Sequence, residues 1–162
     1  MTGFHELYER YSRDVYRFAL YLSGDPALAD DVTSETFIRV WSSPEPVRMA
    51  TVKAYLLTIA RNVWLMERRR GSRRQDLDET LPDPSATVLR NLEMKNELDR
   101  VLRGLQELPE VDRAALLMRA EEGLAYEEIA LALSLPVVTV KVKVHRARLK
   151  LARIRDQEVF PR

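Results

Sequence analysis

Two clusters of cations hold the chemistry this sequence can perform. Lys141, Lys143, Arg146, Arg148, Lys150, Arg153 and Arg155 follow Pro136 without one Asp or Glu among them. Arg61, Arg68, Arg69, Arg70, Arg73 and Arg74 form the other group, with Glu67 the single acid between them. Grouped cations of this kind pair with phosphates, and aromatic residues beside them can stack bases. Tyr55 and Trp64 stand near the arginine group, and Val138, Thr139, Val142 and His145 are interleaved with the lysines of the other. The formal net charge is only +1, so the nucleic-acid reading rests on clustering and not on overall charge. Residues 96–135, by contrast, hold nine acids and four basic residues.

Other chemistries find no support. There is no cysteine, and the two histidines, His5 and His145, are far apart, so disulfides, thiolate metal sites and a histidine metal centre are not expected. No nucleophile–base set or phosphate-binding glycine loop can be picked out, which leaves no catalytic residue and no cofactor to assign. Neither an apolar leader nor a membrane-length apolar run is present, and a cytoplasmic protein is expected.

The elements that must carry these clusters read as helices. Val140, Val144, Ala147, Leu151 and Ile154 step by four and three, one helical stripe, and Pro136 suits its first turn. Val138, Val140, Val142 and Val144 alternate with polar residues like a strand, but the helical stripe continues through HRARLKLARI, beyond strand length. A shorter helix from about Tyr126 to Leu133 precedes it, with Glu127 and Glu128 at its positive end. Two helices at a tight corner, the second basic, predict a helix-turn-helix.

Upstream, residues 4–23 predict an amphipathic helix ended by Gly24. Asp25 and Pro26 then open a second helix that buries Leu28, Val32, Phe37 and Trp41 and exposes Asp31, Glu35 and Arg39. Taken alone, that exposed row is equally a solvated salt-bridged face. A third helix, TVKAYLLTIARNVWLMERRR, follows the proline-punctuated SSPEPVRMA, with Val52, Leu56, Ile59, Ala60, Val63 and Met66 as its apolar stripe. Tyr55 and Trp64 read as core as readily as stacking platforms. GSRRQDLDETLPDPSATVL reads as a flexible linker. The expectation is an all-α chain of two small helical domains, 1–71 and 90–162, joined by residues 72–89. In the second, LEMKNELDRVLRGLQEL, with Leu92, Leu98, Val101, Leu102 and Leu105 apolar, and VDRAALLMRA form the platform for the helix-turn-helix.

EGLAYEEIALALSLPVVTVKVKVHRAR resembles region 4 of bacterial sigma factors, and DDVTSETFIRVW with YLLTIARN and its arginine run resembles region 2, in the order of the small extracytoplasmic-function group. This resemblance implies a promoter-recognition subunit without catalysis. Asp31, Glu35, Phe37 and Trp41 would dock on the β′ clamp helices of core RNA polymerase, and the β flap would be a further contact. Tyr55, Arg61, Asn62, Trp64, Arg68 and Arg69 would melt and read the −10 element. Val138, Thr139, Lys141, Val142, Lys143, His145, Arg146 and Arg148 would read the −35 element. An anti-sigma partner is implied as well. Four departures bear on promoter choice: Ala125 where Ser is usual, Val142 where Ser is usual, Lys143 where Arg is usual, and Met66 where Asp is common. The alternative is a sigma-like decoy that binds an anti-sigma protein without productive DNA readout.

Overall fold

The computed structural model describes residues 3–43, 51–77 and 97–159. Every regular element among them is helical: α1 Phe4–Ser23, α2 Pro26–Ser42, α3 Val52–Leu77, α4 Glu97–Gln106, α5 Glu110–Leu116, a π-helical turn Leu117–Glu121, α6 Tyr126–Leu133 and α7 Val137–Val159. Residues 44–50 of the SSPEPVRMA loop and most of the linker, with Leu92, lie outside the described residues.

Local chemistry sets the boundaries. Gly24 closes α1 with φ 71°, its N–H donating to the Leu20 carbonyl. The Asp25 carboxylate accepts from the N–H groups of Ala27 and Leu28 at 3.0 and 3.3 Å, and Pro26 fills the position that needs no donor. Thr51 caps α3, its hydroxyl accepting from Ala54 N–H at 3.1 Å. That helix runs on through Gly71 to Leu77, further than the linker reading allowed. Gly71 has open space around it and costs the helix only local propensity.

Val15, Phe18, Ala19 and Leu22 of α1 pack against Val32 and Phe37 of α2 and against Leu56, Leu57, Ala60 and Val63 of α3. Thr33 and Thr36, buried in α2, satisfy their hydroxyls on the Ala29 and Val32 carbonyls at 2.7 Å. The second half packs Leu105, Leu116, Met118, Ile129, Val140, Val144 and Ala147, and one continuous buried cluster joins both halves. Four apolar expectations are corrected. Met66 is exposed at the rim between α2 and α3, where the Arg39 guanidinium reaches its sulfur at 3.4 Å, and Leu98 and Val101 are exposed on the outer side of α4, where Leu102 and Leu105 supply the core. Trp41 is 71% exposed, for it stands on the last turn of α2, beyond the reach of α3.

Candidate nucleic-acid and polymerase interfaces

The corner between α6 and α7 is built by Ser134, which takes a left-handed conformation (φ 56°, ψ 48°), and by Leu135, whose N–H reaches back to the Ala130 carbonyl at 3.0 Å. Pro136 stands one residue before α7, and its carbonyl accepts from Val140 N–H at 3.1 Å. At the start of α6, Ala125 offers no capping oxygen, but the Glu128 half of the capping box survives: its carboxylate accepts from Ala125 N–H at 3.2 Å.

Val140, Val144 and Ala147 fix α7 to the platform, so the residues half a turn away must face outward. Val138, Lys141, Val142 and His145 form that outward row at i, i+3, i+4 and i+7, with Val138 72% and Val142 49% exposed. Thr139 is half-buried beside it, and Arg146 and Arg148 flank it, both exposed. The row is a valine surface edged by cations, suited to thymine methyl groups between phosphates. Lys143 departs from the expected set. It folds back onto Asp112 of α5 at 3.1 Å, where Arg146 also approaches at 3.8 Å. Asp112, which sequence reasoning passed over, therefore anchors α7 to the platform. Lys141 lies over the ring of Tyr126, 5.5 Å from its centroid, with Arg119 on the same ring at 4.2 Å.

The arginine face of α3 is only partly open. Asn62, Arg68 and Arg69 are exposed and Tyr55 is half-buried. Trp64 is 4% exposed, within 5.4 Å of the Arg68 guanidinium and 5.6 Å of Arg113. This corrects the expectation of a free stacking platform: α3 turns Trp64 toward the second half and Arg113 approaches it there. Arg61 is engaged too, its guanidinium gripping Glu110 of α5 in two hydrogen bonds of 2.6 and 2.8 Å.

On α2, Asp31 is exposed, and Glu35 pairs with Arg39 at 3.3 Å on the same face. Phe37 is buried at 3% exposure, so of the four docking residues expected there it is the one that cannot reach a partner directly. It supports an aromatic patch instead. Phe4 meets Trp41 edge-on at 4.9 Å, Tyr8 meets Phe37 at 4.9 Å, and Ile38 is exposed beside them. Phe4, Tyr8 and Ile38 were missed from sequence, although Phe4 and Tyr8 at i and i+4 match Phe37 and Trp41 at i and i+4. Among the described residues no group of His, Cys, Asp and Glu could hold a metal ion, and no helix is long and apolar enough to cross a membrane.

Residues 7–74 match the sigma-70 region 2 family and residues 98–151 the sigma-70 region 4 family. Over 147 residues the chain is 34% identical to the ECF RNA polymerase sigma factor SigL of Mycobacterium tuberculosis, covering 87% of this chain and 82% of that one. The chain belongs to the ECF group of the sigma-70 family. It is also 37% identical over 159 residues to the ECF sigma factor SigE of Mycolicibacterium smegmatis, covering 93% of this chain and 61% of that relative's length. Among solved structures, CnrH in complex with the cytosolic domain of CnrY is similar at 26% identity, with a TM-score of 0.67 over 94% of this chain and 87% of that one. The sigma factor RpoE of Bartonella quintana, solved with the anti-sigma factor NepR, shares the fold at 24% identity and a TM-score of 0.77, over 96% of this chain and 98% of that chain. In this sigma factor, then, α1–α3 carry region 2, and α4–α7 carry region 4 with its helix-turn-helix.

Proposed function

We infer that this ECF sigma factor binds core RNA polymerase and directs transcription initiation, itself contributing no catalysis. The observation that carries the reading is the outward row of α7, valines edged by cations, in one chain with residues that match region 2. The α2 face with Asp31 and Glu35, beside the patch of Trp41, Ile38, Phe4 and Tyr8, is the surface proposed for the β′ clamp helices, with region 4 meeting the β flap. Asn62, Arg68, Arg69 and Tyr55 are proposed for the −10 strand, joined by Arg61 once Glu110 releases it. Val138, Thr139, Lys141, Val142, His145, Arg146 and Arg148 are proposed for the −35 element, with Lys143 helping to hold α7 in place. Residues 1–71 and 90–162 are proposed as the working domains. The cytoplasm, with the polymerase, is the proposed location, and an anti-sigma protein the proposed regulator, as in the solved complex of RpoE with NepR.

Run-off transcription with core polymerase on genomic fragments tests this directly. Discrete transcripts that depend on the chain are the expected result. If core polymerase binds and no fragment is transcribed, the decoy reading replaces it. The exposed Val142 favours that second reading over loss of polymerase binding, because it stands on the DNA side where the resembling family usually has Ser.

A further inference from the structure

A cavity of about 540 Å³ lies between α4, the π-helical turn and the second half of α7, within the size range of small-molecule sites. Two of its walls are helix faces with the same spacing. From α4 come Glu97, Arg100, Val101 and Gly104, and from α7 come Arg148, Leu151, Ala152 and Arg155, each set at i, i+3, i+4 and i+7. The third wall is Leu116 with the π-helical turn, and Tyr21 of α1 adds one side chain from region 2. Such turns recur at functional sites, because the extra residue re-aims the side chains around it. Here the turn closes with Glu122 N–H on the Leu117 carbonyl at 3.0 Å. Glu121 then lies at the cavity, and Glu122 lies in the seam between the halves, where it takes Arg17 at 2.8 Å.

Gly104 is the second sign of a built space. It is buried inside α4 without a positive φ, and a Cβ there would meet Ile154 and Leu151 at 3.6 Å, an ordinary contact. Neither packing nor backbone demands glycine, helix propensity argues against it, and its effect is to leave the cavity wider. The interior is aliphatic, built on Val101, Leu105, Leu117, Leu151 and Ile154, and apart from Tyr21 every polar side chain of the lining is exposed. An interior of this kind suits an alkyl chain better than a nucleobase or a sugar, which would leave donors and acceptors unpaired. The mouth sets the sign of the head group. Glu121 approaches Arg17 at 3.7 Å and Arg155 approaches Asp156 at 3.5 Å. Among the described residues Arg100 and Arg148 have no carboxylate within ion-pair distance, and they stand against one acid of the mouth, Glu97. We propose that this cavity binds a single-chain anionic amphiphile, a long-chain carboxylate, with its tail on the aliphatic walls and its head on Arg100 and Arg148. The exposed mouth keeps that head hydrated while two guanidinium groups donate to it. Of the lining residues named, the proposed function uses only Arg148.

The full chain is titrated calorimetrically with dodecanoate, kept below its micelle-forming concentration, and with dodecylammonium, which carries the same tail and the opposite head. One dodecanoate per chain is expected, with dodecylammonium about tenfold weaker or more. Gly104→Leu fills the cavity and should weaken dodecanoate about tenfold. Arg100→Gln should weaken dodecanoate about fivefold without weakening dodecylammonium. Urea midpoints identify the variants that are folded. Val101→Asp, at a position 47% exposed, puts an acid beside the head group and carries the same expectation if Gly104→Leu does not fold. Absence of saturable dodecanoate binding overturns the proposal, as does equal affinity for the two head groups or wild-type affinity in the folded variants. Failure of dodecanoate to bind, together with weaker co-elution of Val101→Asp with core polymerase, would give the groove to a protein partner and overturn the proposal likewise.

Discussion

At the scale of single residues, neighbouring side chains of one type do opposite work. Phe37 is buried and Trp41 exposed, although four residues apart on one helix: Phe37 enters the core, and Trp41 meets Phe4 edge-on at the surface. Truncating Phe37 removes core volume, and Phe37→Ala should cost about 3–5 kcal/mol in urea unfolding. Trp41→Ala should leave the unfolding midpoint within error and weaken co-elution with core polymerase; co-elution at wild-type strength would remove Trp41 from the docking surface. The same contrast divides α7. Val142 is exposed in the outward row, where a methyl surface favours thymine, so Val142→Ser should change the preferred −35 duplex in a binding selection at fixed salt. Arg146 flanks that row and should act on phosphate alone. Arg146→Ala is expected to weaken every duplex alike and to flatten the log–log salt dependence by roughly 0.9. A change of sequence preference in Arg146→Ala would place it in the groove instead.

At the scale of elements, the helix-turn-helix depends on a corner that its own sequence strains. Ser134 is the one non-glycine residue with positive φ among the described residues, and an L-residue there costs about 1–2 kcal/mol. Its N–H closes the end of α6, so the conformation is required. Ser134→Gly should therefore stabilise the chain by roughly 0.5–1 kcal/mol against urea, less than the full strain because glycine also frees the unfolded chain. A loss of stability would mean that the Ser134 side chain contributes more than its backbone strain removes. The corner's boundaries were legible beforehand, since glutamates in the first turn and Pro136 mark them within a residue. The strain at Ser134 was not, because serine carries no signal for a left-handed conformation.

At the scale of the whole molecule, Arg113 is the residue on which the two halves converge. It is buried, yet its guanidinium donates to the carbonyls of Leu105, Leu108 and Leu22, at 2.9, 3.0 and 2.6 Å. Burial lowers its pKa from the ordinary arginine value, with Glu110 acting in the opposite direction and Arg68 reinforcing the lowering. Arg113→Met keeps much of the volume and leaves three carbonyls without their donor. The expected loss is about 3 kcal/mol or more in urea unfolding, since each buried acceptor left unpaired costs about 1–3 kcal/mol. A loss below 1 kcal/mol would show that water replaces the guanidinium and that the seam is easily opened.

The sequence by itself determined the helices, the helix-turn-helix and the charge distribution. Each follows from residues a few positions apart: the four–three stripe of α7, the Asp25–Pro26 start of α2, Gly24 after α1. Tertiary structure alone decided which of those residues are available. Arg61 and Glu110 lie 49 residues apart, and Arg17 and Glu122 lie 105 apart. No periodicity reports a pairing at that separation, because it depends on how two finished units pack and on which carboxylate meets which cation when they do. For the same reason Trp64 could be read equally as core or as stacking platform, and Lys143 as a DNA contact. Helical spacing gives the direction in which a side chain points, and only the packed neighbour gives what it points at.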